Sequence, residues 1–431
     1  MQCVVIRGEQ SSYKPISAGV PQGSVLGPTL FLVYINDIAN NIESVIKMFA
    51  DDTSLSLSEQ YPDVRADILS SDLERVEVWA KNWKVRFNET KTDLLTTKYG
   101  PAPAYDLVFG NHTLEEKVSH KHLGIHIQND CRWEEHTQYL FGKISPLVNC
   151  LRSFKYTLSR KSLEVMYTSF ILPIFDYADI IWDGCTELQA NRLESLHLDA
   201  LRTIIGAVRG TSHDKIYQES GFCALKERRR RHKILQYFKI LHGLCPNYLS
   251  SILPPLVSSV NPYPRRRPQE RIIPKCRTEL YRKSFFPSTT YLWNDLPPHV
   301  QQYQSIGQLK NYLRSADSVV PPYYYSGNRK EQIIHCKLRL SISDLNFDLC
   351  LRHLSQDPSC TCRFPEETAE HFLLNCPKFA NQRLNTIHSL PVEQQNIHTL
   401  LCGNDTLSLN DNESIFRAVE DFIALTQRFK S

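Results

Sequence analysis

Asp51 and Asp52 stand side by side between two short segments of strand character, residues 45–49 and 54–58. Like charges this close raise each other's pKa, so such a pair is most readily kept where a divalent cation neutralises it. Mg2+ suits the role, because it takes a few carboxylates and completes its shell with water and substrate phosphate oxygens. Two such ions can clamp the attacking and leaving oxygens of an in-line phosphoryl displacement. Strand alternation points the two side chains in different directions, so they cannot have the same role. Taken alone, the pair reads first as a solvated turn, since Asp-Asp is a common dipeptide.

A second constellation lies far downstream, with Cys360-x-Cys362, eight residues, His371, four residues and Cys376. Three thiolates and one imidazole close a tetrahedral Zn2+ site, structural because no position stays open. His371 to Pro377 reads as a short helix carrying His and Cys on nearly one face. The single residue between Cys360 and Cys362 makes a tighter bite than the usual two- or three-residue turn. The competing reading is a set of buried cysteines beside a core histidine, with Cys336, Cys350 and Cys402 as alternative ligands.

Two basic runs complete the chemistry, Arg228-Arg229-Arg230-Arg231-His232-Lys233 and Arg265-Arg266-Arg267. Each phosphate contact releases condensed counterions, so runs of this kind give salt-sensitive, sequence-independent affinity for nucleic acid. Tyr263 and Tyr323 to Tyr325 are candidates to stack on bases. A solvated helix face or a localisation signal explains the same charges equally well.

The elements that position these residues follow from periodicity and turn signals. Residues 1–19 read as a hairpin with its turn at Gly8 to Ser12, and residues 2–6 are already a strand with nothing before them to pair with. Gly19-Val20-Pro21-Gln22-Gly23-Ser24 is a loop, and a helix runs from about 29 to 42 with Pro28 near its start. The segments flanking Asp51 and Asp52 make a hairpin with the carboxylates at its tip. Leu69, Leu73, Val76, Ala80 and Trp83 recur at helical spacing. Residues 85–95 and 107–127 read as short strands. From about residue 134 helices dominate, with one apolar stripe at Leu193, Leu196, Ala200, Leu201 and Ile204. Six prolines punctuate residues 254–274. A closing amphipathic helix uses Ile415, Val419, Phe422, Ile423 and Leu425.

The 431 residues are 42% hydrophobic, enough for two to four domain cores. A net charge of only +4 excludes a global polycation, so nucleic-acid contact must be local. Thirteen scattered cysteines do not resemble a disulfide framework. The apolar start is too short for a signal peptide, and Pro173, Asp176 and Asp179 interrupt the most apolar stretch, residues 167–182. The expectation is a soluble, reduced, intracellular protein, nuclear or cytoplasmic and not secreted, with no membrane span. Its oligomeric state is left open.

Order and spacing give the Asp pair its meaning. The Pro21-Gln22-Gly23-Ser24 loop and its helix, Phe49-Ala50-Asp51-Asp52, Phe87-Asn88-Glu89-Thr90-Lys91-Thr92 and His122-Leu123-Gly124-Ile125 occur in succession. This series resembles the reverse transcriptases of LINE-type (non-LTR) retrotransposons. The resemblance continues through Ile171-Leu172-Pro173-Ile174-Phe175-Asp176-Tyr177-Ala178 with Trp182, and through Leu292-Trp293-Asn294-Asp295-Leu296-Pro297. The Cys/His segment is similar to the Cys-Cys-His-Cys motif of the same enzymes.

The resemblance implies an α+β chain: a partial polymerase palm (1–130), a helical thumb-like region (131–253), a Pro/Arg-rich linker (254–274), a connection (275–330), a zinc-knuckle-like segment (331–402) and a closing helix (403–431). It implies that Asp51 holds Mg2+ beside Asp52 and that Lys91 faces the pyrophosphate leaving group. It places Pro21, Gln22, Gly23 and Ser24 against nucleotide and template, and Leu123 and Gly124 under the primer terminus. It makes Cys360, Cys362, His371 and Cys376 the zinc ligands, and gives Arg228 to Arg231, Lys233 and Arg265 to Arg267 the nucleic-acid backbone. The implied partners are an RNA template and a DNA primer or target, with dNTPs as substrates. These enzymes also need an earlier metal-binding Asp strand. Only twenty residues precede Pro21 and none is Asp, so the expectation is an N-terminally truncated chain that does not polymerise alone. The alternative is a non-catalytic nucleic-acid-binding remnant, and a third reading is a host protein using the zinc segment for protein contacts.

Overall fold

The computed structural model describes residues 1, 3–15, 23–97, 106–260 and 270–429. The chain divides into two compact units, Met1–Cys131 and Arg132–Ser431. The architecture is α+β: the first unit mixes helices with short strands, and the second is helical.

The first unit is organised by the helix Pro62–Trp83. Pro62 sits at the first helical position, Asp63 occupies the first turn, and Lys84 ends the helix in the left-handed region with its N–H on Ala80 O. Ala66, Leu73 and Val76 are buried and meet Ile35, Ile38, Leu107, Phe109 and Leu114 in one core, and Ala80 on the same helix is buried as well. Trp83, the last residue of the expected stripe, is exposed, although its carbonyl accepts the Tyr34 hydroxyl.

Among the described residues the short strands of this unit form five separate two-stranded pieces. One of these, Asp93–Leu94 with Glu115–Glu116, is parallel. The hairpin at the N-terminus is tighter than expected, with strands Val5–Ile6 and Glu9–Gln10 only. Arg7 and Gly8 both take positive φ, which is the signature of a two-residue turn. The expected 29–42 helix is Leu26–Ile35 followed by a 3-10 turn, Asn36–Ala39. Asn41 then adopts φ 63, a conformation Asn tolerates, and ends the run.

In the second unit, Thr186 and Gln189 form a reciprocal capping box for the helix Glu187–Ile205. Leu193, Leu196, Ala200, Leu201 and Ile204 are all buried, as their spacing requires. Gly206 closes the helix at φ 84, where a Cβ would come within 2.6 Å of the Ile333 side chain. In the closing helix Leu409–Thr426, Ile415, Val419, Phe422 and Ile423 are buried, whereas Leu425 is exposed. Leu425 lies two residues past Ile423, about 200° round the helix and on its wet face.

Segments far apart in sequence share this unit. Glu219 accepts from Arg160 Nη1 at 3.0 Å, both residues buried, and from Arg339 Nε and Nη2 at 2.9 and 2.8 Å. Arg339 also donates to Leu401 O at 2.7 Å and lies 3.8 Å above the Tyr324 ring. Tyr323 is buried and Tyr325 donates to Glu164, so these tyrosines are core groups here and not open stacking platforms. Among the described residues no helix is long and apolar enough to cross a membrane.

Candidate functional site

The hairpin Val45–Phe49 with Asp52–Ser56 pairs Phe49 with Asp52, leaving Ala50 and Asp51 as its two-residue turn. The strand therefore begins at Asp52 rather than at Ser54. Ile46 and Leu55, paired across the strands, turn toward the core, while Asp51 and Asp52 are exposed at the tip. Ala50 sits at φ 53, a conformation that costs a non-Gly residue on the order of 1–3 kcal/mol and clusters at functional sites.

A buried carboxylate that sequence reading passed over fixes where this hairpin starts. Asp72, in the middle of the Pro62–Trp83 stripe, accepts from the backbone N–H groups of Glu43 and Ser44 at 3.0 and 2.8 Å and from Arg75 at 2.9 Å. Burial opposes its charge, but these donors hold its carboxyl below the usual carboxylate range. Its only outward sign in the sequence is an acid at a helix position flanked by apolar neighbours.

Lys91 is exposed on the 3-10 turn Glu89–Lys91. Glu89 anchors that turn by accepting from Asn111 N at 3.3 Å, and Gly110, at φ 63, leaves the room it needs. Two residues on, Asp93 meets His120 Nδ1 at 2.9 Å, tying the lysine segment to the hairpin Ser119–His122 with Ile125–Gln128. The turn of that hairpin is Leu123-Gly124, with φ 47 and 84, so a leucine again holds a position usually given to Gly or Asn. Gly23 has φ 81 with open space where a Cβ would go, and the Ser24 hydroxyl accepts from Gly27 N at 3.0 Å at the helix start. Pro21 and Gln22 lie outside the described residues.

The Mg2+ test fails on these residues alone. Among the described residues, no group of three His, Cys, Asp or Glu ligand atoms includes Asp51 or Asp52.

The Zn2+ test succeeds. The ligand atoms of Cys360, Cys362, His371 and Cys376 all lie within 4.8 Å of one another. Cys360 Sγ and Cys376 Sγ are 3.8 Å apart, and Cys362 Sγ and His371 Nε2 are 3.2 Å apart. A tetrahedral ion with Zn–S bonds of about 2.3 Å has S···S edges of about 3.8 Å.

An α-helix would place residues five apart about 140° away from each other. Here His371–Asn375 is a π-turn, closed by Cys376 N on His371 O at 2.7 Å, which brings His and Cys to one side. The buried Arg383 donates to Leu373 O at 2.7 Å and Cys376 O at 2.9 Å, satisfying carbonyls that the turn leaves open. Phe364 stacks on the His371 ring at 4.3 Å. Burial pushes the Cys376 thiol up to about 12. Burial also opposes ionisation of Cys362, but the Phe364 N–H and the neighbouring thiols bring that group below its ordinary value.

The Arg228–Lys233 run belongs to the helix Leu225–Leu241, and its charges face protein carboxylates. Arg228 makes a two-point contact with Asp176 (2.9 and 2.5 Å), and Arg231 makes one with Asp317 (2.7 and 2.6 Å). Arg229 and Lys233 are buried and share Asp183 at 2.8 Å each. Arg230 pairs with Glu227 at 3.2 Å. The open basic patch expected from this run is therefore an internal ion-pair network. Arg265 to Arg267 and Tyr263 lie outside the described residues.

A cavity of about 330 Å3 beside this helix is lined by Asp176, Asp179, His232, Gln236, Lys239 and Lys310 among others. Asp176, Asp179 and His232 are close enough to hold an ion. However, Arg228 already neutralises Asp176, His232 bonds Asp179 at 2.6 Å, and Lys239 and Lys310 have no ion-pair partner among the described residues. The balance of charge at this cavity favours an anion.

Residues 1–140 match the family described as reverse transcriptase (RNA-dependent DNA polymerase). They belong to it. Similar proteins include the RNA-directed DNA polymerase from mobile element jockey of Drosophila melanogaster, 29% identical over 217 residues, or 47% of this chain and 24% of that protein. The probable RNA-directed DNA polymerases from transposon BS and transposon X-element, also of Drosophila melanogaster, are 26% and 24% identical, covering 53% and 46% of this chain. At 217 residues the jockey alignment outruns the 140-residue family match, so the likeness reaches beyond residue 140. These relatives confirm the LINE-type reverse-transcriptase resemblance read from the motifs. The chain spans about a quarter of the length of the relatives it matches, 24% for jockey and 27% for BS.

Proposed function

We propose that the chain is the catalytic-hairpin part of a non-LTR retrotransposon polymerase, followed by a helical body that holds nucleic acid and a structural zinc centre. The observation that carries this reading is the Asp51–Asp52 tip on a two-residue turn, within the segment that matches the family. The reaction class is template-directed transfer of a nucleotide from a dNTP to a primer 3′-hydroxyl by two-metal chemistry. Asp51 would supply one carboxylate to the metal pair, with Asp52 beside it. Lys91 would stabilise the leaving pyrophosphate, and Leu123-Gly124 would seat the primer end. The third carboxylate must come from outside the described residues, so the chain by itself is expected to bind primer and template without extending them.

That gap also favours the second reading, a nucleic-acid-binding protein without chemistry. Both readings place the backbone contact at Lys239 and Lys310, since most of the arginine run is neutralised within the fold. Binding of a primer annealed to RNA, measured across a salt series, tests the shared part. Lys239→Glu with Lys310→Glu is expected to weaken binding and to lower the log–log salt slope by about 1.4–1.8, at about 0.7–0.9 per lost phosphate contact. Arg230→Glu, in a local pair, should leave the slope nearly unchanged. No measurable binding by the unaltered chain at low salt would sink both readings.

A further inference from the structure

The zinc ligands do not stand alone: a carboxylate and a guanidinium from the end of the chain close over them. Glu367 is only 1% exposed, and its Oε1 lies 3.9 Å from Cys360 Sγ. Its two oxygens accept from Arg428 Nε and Nη2 at 2.9 and 2.6 Å, and Oε2 also accepts from Asn346 N at 2.9 Å. Gln427, at φ 52, turns the chain out of the helix Leu409–Thr426. Arg428 thereby reaches Glu367, and Phe429 reaches the ring of Phe372, 5.4 Å away and next to His371. Asp344 O and Asn346 Oδ1 each accept from Arg428 Nη2 at 3.3 Å.

The charges explain why a cation belongs at this position. Three thiolates around Zn2+ carry one net negative charge, and Glu367 adds a second in a buried place. Without a partner that arrangement is costly. Arg428 supplies the compensating charge with fork geometry matched to a carboxylate, which lysine cannot reproduce.

We propose that the Glu367–Arg428 pair is the outer support of the zinc centre, so that metal binding and docking of Arg428 and Phe429 stabilise each other. Glu367 and Arg428 act as positioning residues: Glu367 holds the Cys360 loop and Arg428 offsets the negative charge, and neither touches the ion. This rests on the zinc assignment above. Outer partners of this kind typically change metal affinity 10–100-fold, and the coupling must be reciprocal.

The test is chelator competition for zinc at fixed pH, using the full chain. Arg428→Ala is expected to weaken zinc binding 10–100-fold and Arg428→Lys to weaken it less. Arg417→Ala, an exposed arginine on the preceding helix Leu409–Thr426, should leave affinity unchanged. In a parallel measurement, zinc should slow tryptic cleavage after Arg428 in the unaltered chain. Equal affinity in Arg428→Ala, or cleavage indifferent to zinc, overturns the inference while leaving the zinc centre intact. If the unaltered chain binds no zinc, the zinc assignment fails first and this inference falls with it.

Discussion

Cys376→Ser is expected to release zinc and to melt the part of the helical unit built around Phe372, Leu373, Phe379 and Phe422. Cys376 is fully buried in that apolar cluster and Cys360 nearly so, which makes these two ligands part of the core itself. A structural zinc site of this type contributes roughly 10–16 kcal/mol of binding free energy that is also folding free energy. Losing one of four ligands removes a large share of that term and leaves unpaired thiols in an apolar setting. One zinc per chain should survive dialysis of the unaltered protein. The variant should hold much less, with an earlier thermal transition. Chelation of the unaltered protein should reproduce that early transition. A stoichiometry near zero in the unaltered protein, or identical melting after chelation, would contradict the zinc assignment.

The second large effect is expected at Glu219. Glu219→Ala leaves the buried guanidinium groups of Arg160 and Arg339 without their shared carboxylate. Breaking a buried pair from one side typically costs about 3–5 kcal/mol; here Arg339 would keep the Leu401 carbonyl and the Tyr324 ring, and Arg160 would keep Glu164. Burial works against the Glu219 charge, but Arg339 and Arg160 hold its carboxyl below the ordinary range. A carboxyl with a lowered folded-state pKa contributes stability that is fully present above its unfolded value, here 4.5. That contribution is lost as pH falls through the lower folded value. The destabilisation by Glu219→Ala should therefore be large at pH 7 and shrink in acid, which thermal melts across the acid range would show. A loss that is equal at pH 7 and in strong acid would mean the cost is packing rather than charge.

Local and long-range features differed in how far the sequence revealed them. The helix stripe at Leu193 to Ile204 and the hairpin with Asp51 and Asp52 at its tip depend on neighbours in sequence, and both could be read directly. The Cys/His cluster was legible because metal ligands must be of particular types. Its geometry was not: Cys376 lies five positions after His371, which suits an α-helix poorly, and only the π-turn brings them together. The arginine run misled for the opposite reason. Its partners Asp176, Asp183 and Asp317 lie about fifty to ninety residues away, and no local pattern announces them. Asp72, Glu367 and Arg428 were missed because each looks like an ordinary surface charge until the fold buries its partners.

Primer extension by the 431-residue chain on an RNA template, with Mg2+ and dNTPs, tests the central claim most directly. On the proposed reading Asp51 and Asp52 supply part of a polymerase metal site, and among the described residues no further His, Cys, Asp or Glu ligand joins them. The expected result is primer–template binding with no incorporation above that of the Asp51→Ala variant. Template-dependent incorporation that disappears in Asp51→Ala would contradict it, and would show that this chain holds a complete metal site.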